Sequence, residues 1–335
     1  MNDPSVWLNL PALLASILLL DAVLGEPPNA LHPVAWFGRA AGGMEKICRS
    51  FFGSGIFSGF IGWLVLTVPP SAAAFFLVRY CLTVNAYCGF ACCAAIGYFT
   101  VALRSLLDHS RRIRKPLKQG DLGTARRALS MIVSRKTETL GESEIVRGGV
   151  ESLGENLIDA VTGALFWIAI GYACGGLPGA AAAGVFLRCV NTLDACWGYR
   201  NERYLTFGRV AAKTDDWIFF LPARLTLPAV ALGALLTGGS FTACLKTGWK
   251  HRKDHPSPNS CYGMAGFAGA LGIRLGGPTE YSDGLEQYSC WGEGRSGLDW
   301  RDLRRAEWLT AAAAVIFVGC LSGIWYGIWW FCTRS

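Results

Sequence analysis

The sequence predicts an all-α polytopic membrane protein, and three observations predict it. Of its 335 residues, 52% are hydrophobic and only 16% charged, whereas a soluble domain carries about a quarter charged residues. The apolar residues gather into runs at roughly 6–24, 56–78, 82–103, 157–187, 217–239 and 307–331, each near or above the ~20 residues an α-helix needs to cross a bilayer. Tryptophans sit at run ends (Trp7, Trp217, Trp308, Trp329, Trp330), where an amphipathic ring suits the membrane–water interface.

The first run follows "MNDPSVWLNLP", which holds Asp3 and no basic residue. A signal peptide wants a basic start, so this run reads as a retained span. The runs at 56–78, 82–103 and 307–331 read as plain spans. Two others are broken: 157–187 by "GGLPG" at 175–179, and 217–239 by Pro222, Arg224 and Pro228. Irregular backbone at membrane depth is tolerated only where it is buried or lines a wet cavity. Both are therefore expected to be re-entrant or hairpin walls of a site.

Between the runs lie polar loops at 25–55, 104–156, 188–216 and 240–306. The first, second and fourth hold 23 of the 31 Lys and Arg residues, so the positive-inside rule makes their side cytoplasmic. Hairpins at the two broken runs bring the 188–216 loop to that side too. One membrane domain over 1–335 is expected, with these loops as its active-site side. Thirteen cysteines, mostly in apolar runs and without a CxxC pair, and four histidines with no ligand spacing do not point to zinc or redox chemistry. The net charge of +7 is a topology signal, and no nucleic-acid partner is expected.

Chemistry is expected in four constellations. In "DAVLGEPPNALHPVAWFGR", His32 and Arg39 follow a proline-stiffened turn and suit anion contacts. In "ESLGENLIDAVTGALFW", Glu151, Glu155 and Asp159 recur every fourth residue with Asn156 beside them, which on one helix puts the acids within about 80° of arc. Pairing with basic residues four apart does not explain Glu155 and Asp159, whose four-apart neighbours are acids. Acids at a membrane boundary are costly unless paired or bound to a cation. Oxygen ligands on one face suit Mg²⁺ with phosphate, so Glu151, Glu155 and Asp159, with Asp194, are the expected metal ligands, and Arg135 lies just upstream.

The third loop, "RCVNTLDACWGYRNERYLTFGRVAAKTDDW", is the densest polar segment. Asn191 and Asp194 stand one helical turn apart; Tyr199, Arg200, Asn201 and Arg203 follow, then Asp215 and Asp216. Arginine alternating with acid suits carboxylate or phosphate recognition. Arg224, within the next run, either binds substrate or snorkels. The fourth loop opens "DHPSPNS", a stiff segment presenting His255 and Asn259. Gly266, Gly269 and Gly272 follow, for close helix packing or ligand approach. The basic stretch "HSRRIRKPLKQGDLGTARRAL" suits anionic lipid headgroups.

"GEPPNALHPVAWFGR", "SRKTETL…ESLGENLIDAVTGALFW", "VNTLDACWGYRNERY…FGR…DD" and "HPSPNSCYGMAGFAGALGIRLGGP" occur in that order over residues 18–280. Together they resemble the CobD/CbiB family of cobalamin biosynthesis. The resemblance implies a multi-pass protein of the bacterial inner membrane that joins adenosylcobyric acid, through its free propionate, to (R)-1-aminopropan-2-ol or its O-phosphate. It also implies ATP and Mg²⁺, a corrinoid substrate, and membrane lipids and other corrinoid-pathway enzymes as partners. One departure is Lys136, where family members usually carry an acid after "SR".

Amide formation from a carboxylate is uphill in water unless the carboxylate is activated, for instance as an acyl phosphate. That chemistry asks for positioning and charge neutralisation. The expected roles are Glu151, Glu155 and Asp159 at a metal, Arg135, Arg200 and Arg203 on phosphate or propionate, and Asp215 or Asp216 as base for the amine. Two other classes fit polar loops on a membrane scaffold: a corrinoid or small-molecule transporter, and a membrane sensor of related architecture. A prenyl-type transferase would need two Asp-rich motifs, which "ENLID" and "NTLD" imitate loosely.

Overall fold

The computed structural model describes residues 9–281 and 284–334, with side chains to residue 331; Trp7 lies outside them. Thirteen helices among the described residues carry the fold. They open with α1 (Leu10–Leu24), α2 (Pro33–Phe52), α3 (Ile56–Val84), α4 (Ala86–Tyr98), α5 (Leu103–Lys118), α6 (Leu122–Ser130) and α7 (Glu142–Leu157). A π-helical turn, Ile158–Thr162, leads into α8 (Gly163–Trp197), α9 (Arg209–Ile218), α10 (Phe220–Leu236), α11 (Phe241–Lys250) and α12 (Ser260–Leu271). A hairpin of β1 (Leu275–Tyr281) and β2 (Gly284–Trp291) precedes α13 (Trp300–Arg334).

Four helical stretches are long and apolar enough to cross a membrane: Ile56–Val84, Ala86–Lys118, Glu142–Trp197 and Trp300–Phe331. The bent pair α9–α10 makes a fifth if counted as one span. Their apolar windows are only 33% buried in the first and 17% in the last, and such bare surface suits lipid rather than water. The first run falls short of the expected span. Asn9, whose side chain caps Ala12, and Gly25 at φ +67° confine α1 to 15 residues, about 22 Å of helix.

Two compact units share the chain: residues 1–102, 163–219 and 318–335 make one, and 103–162 with 220–317 the other. The chain passes between them four times, so no linker exists for composition to mark. That is why the sequence reads as a single domain.

In the first unit, the broken 157–187 run folds back on itself. Gly175 and Gly176 leave helical geometry, the latter at φ +62°. A Cβ on Gly171 would sit 2.3 Å from the Gly179 carbonyl oxygen, and Gly184 faces Ile168 from the returning arm. The "GGLPG" interruption is thus the turn of a helical hairpin within α8, and Trp197 returns to the end from which Gly163 started. The 217–239 run differs. It forms one helix, α10, with Pro222 and Pro228 accommodated inside it, entered through a break at Phe219.

In the second unit, α7 and α12 cross with almost no side chain between them. A Cβ on Gly263 would sit 2.0 Å from the Gly154 carbonyl oxygen. Gly266 and Gly269 serve the same end against Leu227 and Ala243, and Gly272 ends α12 at φ +66°. The glycine face of α12 is therefore a packing face. The hairpin was not anticipated, because "LGGPTEY" lacks the alternation that announces a strand. Its register slips between Gly276 and Pro278, where Gly276 and Gly277 take φ of +73° and +87°.

Candidate active site

A small polar cavity of about 140 Å³ lies in the second unit, walled by α7, the 131–141 segment, the His255 loop and the β-hairpin. Each wall has a local cause. Helix α7 starts at Gly141, whose N–H donates to the Glu144 carboxylate at 2.9 Å, a side-chain cap that fixes its first turn. Ten residues on, Glu151 is buried at 4% exposure. The proline-containing segment before α12 runs as bends and a turn, not as the extended chain expected, and brings His255 to the cavity wall.

Glu151 is fully engaged. Arg135 Nη2 donates to its Oε2 at 2.6 Å, and the Gly276 N–H donates to its Oε1 at 2.8 Å. The bulge that turns Gly276 inward is held from outside by Arg147, which donates to the Gly276 carbonyl at 2.6 Å and the Pro278 carbonyl at 3.1 Å. Arg135 Nη1, by contrast, is buried with no protein acceptor among the described residues. Burial opposes the Arg135 charge, but Glu151 outweighs it and holds the guanidinium above its ordinary value.

Glu155, one turn along α7, accepts from Ser260 Oγ at 2.8 Å through Oε1. His255 lies between the acids and the hairpin, stacked on Tyr288 with ring centroids 5.4 Å apart and edge-on to Trp291. Its Nδ1 accepts from the Ser257 N–H at 3.1 Å, so the neutral ring carries its proton on Nε2. Burial lowers the His255 pKa, and the carboxylates of Glu155, Glu151 and Glu286 only partly oppose it. Tyr288 donates to Glu286 and reaches Tyr281 at 3.5 Å.

The expected acid stripe is thus divided. Asp159 falls within the π-helical turn, where the wider helix breaks the four-residue repeat, and it does not line the cavity. Asp194 belongs to the other unit. Among the described residues, no group of three or more His, Cys, Asp or Glu side chains is gathered closely enough to hold a metal ion. Of the expected metal set, Glu151 and Glu155 line the cavity, while Asp159 and Asp194 do not. Asn156 bonds back along α7 to Ser152. Asn259 is buried at the start of α12. Arg224, partly exposed, donates to the Phe220 carbonyl and lies over the Phe220 and Tyr262 rings; it does not line the cavity.

The remaining expected residues belong to the first unit. Asn191 accepts from Arg188 at 3.2 Å and donates to Asp215 at 3.4 Å. Asp194 and Asp216 are charge neighbours, and Asp216 also meets Lys213 at 3.4 Å. His32 caps α2 through the Val34 N–H and lies 3.6 Å from Glu26. Arg39, Tyr199, Arg200 and Asn201 are exposed. Arg203 is exposed and ties back to the protein through Nε: with Arg49 and Tyr204 it donates to the buried Glu45, at 3.0, 2.8 and 3.0 Å respectively. Arg188, which also donates to the Thr100 carbonyl, lines a largely apolar cavity of about 320 Å³ with Phe37, Phe99 and Thr192.

Three kinds of site residue were missed. Arg188 carried a usable signal, a lone charge inside an apolar run. Glu45 and the hairpin residues Gly276, Tyr281, Tyr288 and Trp291 carried none, since only the tertiary fold brings them to their partners.

A family model described as CobD/Cbib protein matches residues 13–310. The chain belongs to the CobD/CbiB family. It is 34% identical over 290 residues to the cobalamin biosynthesis protein CobD of Clostridium perfringens, covering 86% of this chain and 90% of that protein. It is 39% identical over 328 residues to the protein of that name from Chromobacterium violaceum (91% and 96% covered), and 31% over 318 residues to cobalamin biosynthesis protein CbiB of Salmonella typhi (91% and 96%). No solved structure matches. In this CobD/CbiB chain the departure at Lys136 falls outside the cavity. Its Nζ meets Glu280 of β1 at 2.6 Å, while its N–H donates to the Glu280 carbonyl.

Proposed function

We propose that this chain is a cobalamin-biosynthesis enzyme of the inner membrane. It joins the free propionate of adenosylcobyric acid to (R)-1-aminopropan-2-ol or its O-phosphate, with ATP as the driving substrate. One observation carries the reading. A buried arginine keeps a donor without a protein partner among the described residues, at a polar cavity shared with a carboxylate and a neutral histidine. At the wall of a polar cavity such a donor is completed by a ligand or ordered water.

The cavity, about 140 Å³, is far smaller than the ~300–1,000 Å³ of pockets that enclose whole ligands. It suits only the reacting end of the substrates, a carboxylate or phosphoryl group, with the corrin ring and nucleoside outside. Arg135 Nη1 would hold that anion, with Glu151 fixing the plane of the guanidinium fork. The His255 Nε2–H donates to an oxygen where negative charge grows. Glu155 takes the proton the amine releases as its nitrogen closes on the activated carbonyl and phosphate departs. Mg²⁺ would arrive with the nucleotide as part of the substrate.

Reconstitution in nanodiscs with adenosylcobyric acid, Mg-ATP and each amine tests this, with mass spectrometry following the amide alongside phosphate release. Product is expected with one amine or both. Glu155→Gln should cut the rate about 10²–10⁴-fold, the usual worth of a positioned base, while the protein remains folded and inserted. No amide with either amine from demonstrably folded protein would overturn the proposal.

A further inference from the structure

On α5 and α13 of the second unit, two helical stripes line one groove. Leu107, Arg111 and Arg114 stand at i, i+4 and i+7 on α5. Arg304, Trp308 and Ala311 stand at the same spacing on α13. Together with Glu307 they line a groove of about 370 Å³. The helices are clasped by Glu307, whose two oxygens accept from Arg114 Nε at 2.9 and 3.0 Å and which also accepts from Ser110 Oγ at 3.0 Å.

That clasp neutralises Glu307 yet uses only one nitrogen of Arg114. The two Nη groups of Arg114 donate to no protein acceptor among the described residues, and Arg304, exposed at the rim, makes no hydrogen bond or ion pair there. Arg111 meets only the exposed Asp108, at 2.7 Å. Three arginines therefore converge on one groove with a single, already neutralised acid. The groove also has a direction. Lys118 lies over the Trp300 ring at its polar end. Trp308 is 61% exposed and Val315, two turns further along α13, 64%, inside the apolar span Trp300–Phe331.

We propose that this groove binds the headgroup of an anionic phospholipid. The guanidinium groups would take the phosphate oxygens in forked pairs, Trp308 would lie at headgroup depth, and an acyl chain would run along the bare face past Val315. A soluble phosphate would gain the arginines but leave the apolar wall uncovered; a zwitterionic lipid would cover the wall but bring its own positive charge to three arginines. An anionic lipid satisfies both. The site is independent of the amide-forming cavity.

The test uses the delipidated full chain in detergent, titrated with phosphatidylglycerol, phosphatidylcholine or inorganic phosphate. Thermal unfolding is followed, and native mass spectrometry counts retained lipid. Phosphatidylglycerol should raise the unfolding temperature by several degrees and remain bound, with neither effect from the other two. The exposed pair Arg111→Ala/Arg304→Ala should bind phosphatidylglycerol about 10- to 30-fold more weakly, the scale of two basic residues at an anionic surface. The charge-matched control Lys46→Ala/Lys246→Ala should bind as wild type does. Equal stabilisation by inorganic phosphate, equal binding of phosphatidylcholine, or an unchanged titration in the arginine pair would each overturn the proposal.

Discussion

Two of the buried carboxylates that arginine grips, Glu45 and Glu151, differ in what is left over. In the first unit, Glu45 accepts from Arg49, Arg203 and Tyr204, and Arg49 further donates to the Arg203 carbonyl and covers the Phe207 ring at 4.4 Å. Burial alone would raise the Glu45 pKa, but these donors hold it below its ordinary value. In the second unit, Glu151 is just as well paired, yet its partner Arg135 retains an unsatisfied buried nitrogen, and Glu155 and His255 face the same void. The Glu45 cluster ties two segments together with Arg203 open to water. The Glu151 cluster instead leaves a buried donor at the wall of a polar cavity, an arrangement that a bound anion would complete.

The sharpest way to break that contrast is Arg135→Ala. Removing one partner of a buried pair leaves the other charge uncompensated, a loss of about 3–5 kcal/mol, and amide formation should vanish with it. Arg135→Lys separates the two effects. Charge returns and most of the stability with it, but the forked donor geometry does not, so turnover should stay low in the reconstituted assay. Recovery of full activity by lysine would reduce Arg135 to a structural ion.

Next in size is Glu45→Ala, measured by denaturant unfolding. A loss of about 2–4 kcal/mol is expected, toward the lower end because Arg203 reaches water, with unchanged activity per folded molecule. The sign with pH follows from the lowered pKa. The Glu45 contribution is complete above the ordinary carboxylate value and is lost as pH falls through the folded one. Activity loss beyond the unfolded fraction would move this cluster into the chemistry.

The acid limb of the activity profile sharpens the contrast further. The His255 pKa lies below its ordinary 6.5, so the ring stays neutral through neutral pH, and turnover should fall only as pH drops through that lowered value. The same group contributes stability that is complete above its unfolded pKa and is lost below it. His255→Gln keeps an N–H donor and should flatten the limb. Smallest of all, Lys136→Ala removes an ion pair open to water at both ends and should leave unfolding and turnover unchanged, since such pairs contribute little.

How much of this was legible beforehand varies residue by residue. Glu151 and Glu155 announced themselves by periodicity and by carboxylates entering an apolar run, and Arg135 by its place just before them. Their chemistry was less legible. Four-residue spacing suggested three acids on one face for a metal, but the π-helical turn at Ile158–Thr162 ends that repeat before Asp159 completes it. For Arg203 the sequence cannot show that its Nε is bonded to Glu45, 158 positions away. The reverse happened with "GGLPG". A glycine pair and a proline inside a long apolar run predicted a fold-back, and Gly171 against Gly179 makes it.

By itself, then, the sequence determined what local physics can determine: helices too apolar for water, the turn that glycine and proline demand, and which acids sit near a membrane mouth. It also carried the ordered motifs that mark the family. Only the tertiary structure decided which charges are spent. What Arg203 bonds to, and what meets the second oxygen of Glu151, depends on partners over a hundred residues away, one of them in a hairpin with no strand pattern of its own. Pairing a buried charge is a long-range event, and spacing along the chain carries no record of it.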